Sequence, residues 1–182
     1  MVIKCSLFVA TILDGFIARK CGALDWLPGS DGVTESENHG YTDFFASIDS
    51  LVKGRNTCDL MHTFGEWLYP GKKVLVLSSR FPKIPIRLAE EAKGTSMPPM
   101  EVVRQLEASG SAHAYVDGGK TIQSFLQAGL IQDVMITRVP VLIGEGIPLF
   151  GSSGRDIRLR HLSTGVLENG LVQSKYQVEN AA

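Results

Sequence analysis

Ala112 to Leu130, AHAYVDGGKTIQSFLQAGL, constrains this chain more than any other stretch. A short apolar run, Ala114, Tyr115 and Val116, stops at Asp117, and two glycines follow at once. Ile122, Phe125, Leu126 and Leu130 then recur at helical spacing on one face. The pattern predicts a strand, a glycine turn and a helix N-terminus. Such a junction exposes backbone N–H groups at the positive end of a helix dipole, which suits a phosphate or pyrophosphate. A Cβ at Gly118 or Gly119 would hold an anion away from the backbone. A plain strand-to-helix turn without a ligand has the same signature, so both readings stand at this point.

Two standard nucleotide loops fail here. GGKT looks like the end of a Walker A loop, but that loop needs a glycine five residues before Gly119, and Ala114 stands there. A Rossmann fingerprint needs G-x-G-x-x-G between strand and helix, and this turn offers only Gly118 and Gly119.

The chain's 182 residues suffice for one domain with a substantial core. Its formal charge of −1 gives no electrostatic case for nucleic acid or an anionic membrane as a partner. No apolar run reaches membrane-spanning length. The opening stretch Val2 to Ala10 reads as a buried strand, with no clear small-residue cleavage site before Asp14, and a cytoplasmic location is expected. Cys5, Cys21 and Cys58 are odd in number and widely spaced, which implies neither a disulfide framework nor a zinc motif. His39, His62, His113 and His161 make no metal-ligand spacing, and no metal is expected.

Read in order, Val2 to Thr11 is nearly continuous apolar sequence, as for a strand covered on both faces, and Asp14-Gly15 marks a turn. Arg19 to His39 is a long loop whose LDWLPG sets Trp26 beside Asp25, as in an active-site wall. Tyr41 to Ile48 is amphipathic, with Phe44, Phe45 and Ile48 on the buried side. Ser50 to Lys53 is a brief strand, and GRNT (Gly54, Arg55, Asn56, Thr57) follows as a second strand–glycine–helix junction carrying an Arg. KVLVL, Lys73 to Leu77, is a buried strand ending in Ser78, Ser79 and Arg80. Ligands of open α/β sheets bind beyond such edges, so Arg80 is either a 2′-phosphate ligand or a solvated surface residue.

Further on, a helix is expected over Pro98 to Ala108, with Gly110 past its end. Val134 to Leu142 is a strand that Pro140 interrupts, which suggests an edge or a bulge. Such an edge could pair with a second copy, and a homodimer is expected on that basis. Ile143 to Gly151 reads as a glycine-punctuated loop, and Ile157 to Val166 with Leu171 to Val178 as a closing antiparallel hairpin. A single α/β domain over residues 1–182 is the result.

This ordered set resembles the dihydrofolate reductase superfamily, closest to the branch that holds the C-terminal reductase domain of riboflavin-biosynthesis proteins. The resemblance lies in ATILDGFIA (Ala10 to Ala18), LVKGRNT (Leu51 to Thr57), VLVLSSR (Val74 to Arg80), the stretch from Tyr115 to Phe150 and the final hairpin. It implies a mixed, mostly parallel sheet of about eight strands flanked by helices, and NADPH as cofactor. Gly54, Arg55, Asn56 and Thr57 would hold its diphosphate and ribose, and Leu77, Ser78, Ser79 and Arg80 its adenosine 2′-phosphate end. Val116, Gly118, Gly119, Lys120 and Thr121 would cover the pyrophosphate, and Ala10 and Ile17 would flank the nicotinamide.

A hydride transfer also needs an oriented acceptor and a proton source. Asp117 and Asp25 are the acid candidates, with Asp14 weaker; a capping or turn-forming Asp is the alternative for each. Trp26, Phe44 and Phe45 are candidate substrate contacts. Dihydrofolate reductases carry an acid on the first helix, a turn before an aromatic; here Gly40 and Tyr41 stand at that spacing from Phe44 and Phe45. The expected activity is therefore reduction of a small heteroaromatic or sugar-amine substrate. The alternatives are a non-catalytic dinucleotide-binding module of the same fold and, last, a hydrolase, which would need a metal cluster or an activated nucleophile.

Overall fold

In the computed structural model of the chain, residues 3–28, 39–56, 68–78 and 92–179 are described. The apolar N-terminal run forms β1 (Lys4–Ile12). It closes in a turn where the Gly15 amide bonds the Ile12 carbonyl at 2.9 Å and Gly15 takes φ +84°, a conformation open to glycine. A short β2 (Phe16–Ala18) leaves that turn. Helix α1 (Tyr41–Ser47) follows, with Ile48 already extended beyond its end, and then β3 (Ser50–Gly54) and β4 (Lys73–Leu77).

The next strand, β5 (Ala92–Thr95), has no counterpart in the sequence reading. AKGT carries neither alternation nor β-branched density, and pairing to β4 from Val74↔Ala92 to Leu77↔Thr95 makes it a strand. Helix α2 (Pro99–Ala108) has proline at its first position and Gly110 at φ +82° beyond its end, as the sequence predicts. The junction around Asp117 then appears as β6 (His113–Asp117) and α3 (Gly119–Gln127).

The apolar run expected at a sheet edge is β7 (Asp133–Val139), and it lies inside the sheet. It pairs with β1 on one side and with β10 (Val172–Val178) on the other. Pro140 has no N–H to give a ladder, so the strand stops one residue short of it instead of bulging around it. That removes the basis on which β7 was expected to pair with a second copy. Within the following loop Ile147–Pro148 forms β8, antiparallel to β2. The hairpin partner β9 (Leu159–Val166) occupies the free edge, and all eight of its residues are exposed.

The main sheet runs β5-β4-β3-β6-β1-β7-β10-β9. Its first six strands are parallel, and β10 is antiparallel to both neighbours. The expected mixed, mostly parallel α/β architecture is present. One face buries Cys5, Leu7, Val52 and Val116 against Val102 and Leu106 of α2 and Ile122 and Phe125 of α3. Removing a side chain such as Phe125 from water contributes about 1.5–3 kcal/mol. The opposite face buries Leu51, Val74, Val76 and Tyr115, with Phe8 and the α1 aromatics Tyr41, Phe44 and Phe45 over them. Parallel pairing brings the C-terminal ends of β3, β4 and β6 to one edge. The candidate site lies there.

Among the described residues, no helix is long and apolar enough to cross a membrane. The far end of the sheet holds α1 through His113. Its Nδ1 faces the Ser47 carbonyl at 3.1 Å, an acceptor, so the ring proton sits on Nδ1 and Nε2 accepts from the Ser6 hydroxyl at 2.8 Å. Burial lowers the ring below its ordinary value. The stability this supplies is fully present above the unfolded value of about 6.5 and is lost as pH falls through the folded value. Urea midpoints are therefore expected to fall between neutral pH and about pH 5. In His113→Gln that part of the slope should disappear; an unchanged slope contradicts this assignment.

Candidate active site

At the C-terminal edge, β3 and β6 are neighbours in the register Leu51↔Tyr115, Val52↔Val116 and Lys53↔Asp117. Side chains alternate along a strand, so Lys53 and Asp117 share the α1 face. They form an ion pair with 2.7 Å between Lys53 Nζ and Asp117 Oδ2. The Gly118 amide donates to the other oxygen, Oδ1, at 2.8 Å. The lysine side chain is 2% exposed and the aspartate 20%, so the carboxylate is the member of the pair open to solvent at the strand end. Around the ammonium, the Tyr69 ring lies 4.5 Å and the Tyr115 ring 5.5 Å away, each by centroid.

The surrounding aromatics are linked. Tyr115 donates its hydroxyl to the Phe8 carbonyl at 2.7 Å. Phe44 packs on Phe8 and edge-on to Tyr115, with centroids 5.0 and 5.1 Å apart. Phe45 lies against Tyr41 and Tyr69 at 5.8 and 6.0 Å. Burial pushes the Tyr41 phenol up to about 12 and raises Tyr115 as well, so both stay protonated at neutral pH. Phe44 and Phe45 thus pack on Tyr115 and Tyr69, the two rings that flank the Lys53 ammonium. Carrying the β1–β6 register forward from Ser6↔Tyr115 sets Phe8 beside Asp117, with Ala10 two residues beyond on the same face.

Beyond Asp117 the turn has the form an anion needs. Gly118, the N-cap of α3, takes φ +98° and brings no side-chain cap of its own. The first-turn amides of Gly119, Lys120 and Thr121 have no partner one turn back within the helix. Lys120 and Arg55 are exposed at the same edge. A Cβ on Gly119 would stand 3.0 Å from Ile17 Cδ1, so Ile17 packs directly on the turn. A Cβ on Gly54 would stand 3.0 Å from the Thr121 hydroxyl, which joins the GR-x-T junction to α3. Ser78 leaves the end of β4, its amide on the Thr95 carbonyl at 3.0 Å. The first-turn amides with Lys120 and Arg55 nearby make a donor-rich, cationic strand edge whose chemistry fits the phosphates of a dinucleotide.

Other expected residues stand differently. Val116 is fully buried in the α2–α3 core and Leu77 packs against that core, so only their backbones border the edge. Trp26, expected as a substrate contact, is 9% exposed and packs with Ile12, Val139 and Leu171. Ile12 and Val139 are the last residues of the parallel strands β1 and β7, so the indole is an apolar cover at the same C-terminal edge of the sheet. Asp25 bonds Arg19 through both oxygens, at 2.6 and 2.9 Å, and is 57% exposed. The bonded guanidinium holds its carboxyl below the ordinary value, and both of its oxygens are turned to Arg19. Asp14 accepts from the Ile143 and Gly144 amides at 3.1 and 2.8 Å, a turn-fixing role. Thr57, Ser79 and Arg80 lie outside the described residues. Lys53 was missed; its signal was a charge on the buried face of LVKG, where a lysine stands only with a partner.

A cleft of about 380 Å³ opens between α3, β7 and β9, lined by Gln123, Phe150 and Leu159 among others. It holds none of the residues that fit the dinucleotide.

The mixed, mostly parallel eight-stranded sheet places the chain in the dihydrofolate reductase-like fold class. The chain overlays dihydrofolate reductase of Enterococcus faecalis, solved with NADP(H), at a TM-score of 0.66 and 16% identity over 97% of each chain. Within that class the particular family is the RibD C-terminal domain, which matches residues 71–173, and the chain belongs to it. A Shewanella sp. PV-4 protein provisionally assigned to riboflavin biosynthesis is 34% identical, with a TM-score of 0.86 over 98% of this chain and 100% of that one. YwjB of Bacillus subtilis (strain 168) is 29% identical over 162 residues, 86% of this chain and 88% of YwjB.

Proposed function

We propose that the protein is an NADPH-dependent reductase of a small heteroaromatic or sugar-amine substrate, of the pterin, folate or riboflavin-precursor kind. The observation that carries this reading is the placement of Asp117. Its carboxylate stands where β6 ends, with the Gly118-Gly119 turn on one side and Ala10 and the α1 aromatics on the other. When bound, NADPH supplies the hydride. The chain's own part is to hold the diphosphate on the α3 amides and to keep the acceptor between Asp117 and the nicotinamide position at Ala10 and Ile17. Arg80, Ser79 and Thr57 are assigned to the 2′-phosphate and diphosphate from sequence alone, and with them the preference for NADPH over NADH. The family and the NADP(H)-bound neighbour support the cofactor; the acceptor class rests on the Asp117 carboxylate and the aromatic wall beside it.

The test is consumption of NADPH with 7,8-dihydrofolate and with the phosphoribosylamino-uracil precursor of riboflavin as acceptors. Turnover of either above the no-acceptor rate is the expected result. NADPH binding without turnover of any heteroaromatic or sugar-amine acceptor would instead favour a binding module of this fold.

A further inference from the structure

A lysine buried to 2% exposure at the end of an apolar strand requires a reason, because its charge is costly to desolvate. Lys53 cannot itself touch a molecule in the cleft, since its ammonium is enclosed by Asp117 and the Tyr69 and Tyr115 rings. What it touches is the Asp117 carboxylate, which is 20% exposed at the strand end. We infer that Lys53 is a positioning residue of the proposed reductase, acting through Asp117. It pins Oδ2 while the Gly118 amide pins Oδ1, which fixes the plane of the carboxylate and makes it an acceptor-only group. The inference rests on the reductase reading above.

It has a chemical consequence. In the reduction the acceptor carbon gains the hydride of NADPH, the nitrogen or oxygen bonded to it gains one proton, and NADP⁺ is released. With both oxygens already bonded to donors, Asp117 orients the acceptor through a donor group on it, and the proton comes from water. A misplacement of about 1 Å at such a group costs on the order of 10²-fold in rate.

The experiment is a double-mutant cycle on the full chain, using Lys53→Met, Asp117→Asn and the two together. NADPH affinity is measured beside kcat/KM with 7,8-dihydrofolate and the riboflavin precursor. Lys53→Met is expected to lower kcat/KM on the order of 10²-fold, with NADPH affinity within about twofold. In the Asp117→Asn background the same substitution should have almost no further effect, because the residue it acts through has already changed. A loss caused only by weakened folding would add to that of Asp117→Asn. Lys53→Arg, which keeps the cation, should recover part of the rate and serves where Lys53→Met folds poorly. Full activity in Lys53→Met, or additive losses in the cycle, overturns the inference while leaving the reductase reading intact. Absence of turnover in the unmodified protein overturns both.

Discussion

Asp117→Ala is expected to cost about 3 kcal/mol of stability and to lower kcat/KM with NADPH on the order of 10²-fold or more. The stability loss follows from what stays behind. The Lys53 ammonium remains 2% exposed among tyrosine rings, without its carboxylate. Breaking a buried pair from one side costs roughly 3–5 kcal/mol, and the low end applies because the Asp117 side chain is 20% exposed. The measurement is the urea midpoint, with the slope checked for constancy. Replacing both partners, as Lys53→Met with Asp117→Leu, should restore most of the midpoint and none of the turnover. An Asp117→Ala protein as stable as the parent would show that the pair is not closed as described.

Gly119→Val is expected to weaken NADPH binding on the order of tenfold or more. A Cβ there meets Ile17 Cδ1 at 3.0 Å and the Pro148 carbonyl at 3.4 Å, before the rest of the valine is placed. Either the β2–β8 ribbon moves off the turn or the turn moves away from the strand end, and both displace the amides proposed to hold the diphosphate. Gly165→Ala on exposed β9, with nothing within 4 Å of the added atom, is the matched control and should bind NADPH as the parent does. Equal affinities for the two variants would detach the glycine turn from cofactor binding.

The parts of this fold that the sequence reveals are those where two periods meet. HAYVD changes to a helical repeat across Gly118-Gly119, and the change locates β6, the turn and α3 without reference to anything distant. β1 is legible for a related reason, since a strand covered on both faces must be apolar throughout. β5 is not legible: AKGT becomes a strand because β4 lies beside it, and that neighbour is known only once the sheet is assembled. Pro140 marks a boundary correctly, but a proline that ends a central strand and one that marks an edge look alike in sequence.

The site divides along the same line. Asp117 and the glycines are local and were legible. The Lys53–Asp117 pair joins positions 64 residues apart, and only the placement of β3 beside β6 in that register brings them together. Trp26 and Asp25, adjacent in the chain, suggested one wall; the structure turns the indole into the core and leaves the carboxylate on Arg19. Adjacent residues outside regular structure need not share a side.

The most direct measurement is thermal stability of the full chain with excess NADPH, with excess NADH and with neither. At about 100 times the dissociation constant, a ligand that binds only the folded state adds on the order of 2.7 kcal/mol. A clear rise with NADPH and a smaller one with NADH is the predicted result. No rise with either dinucleotide would contradict the assignment of the C-terminal sheet edge as a cofactor site.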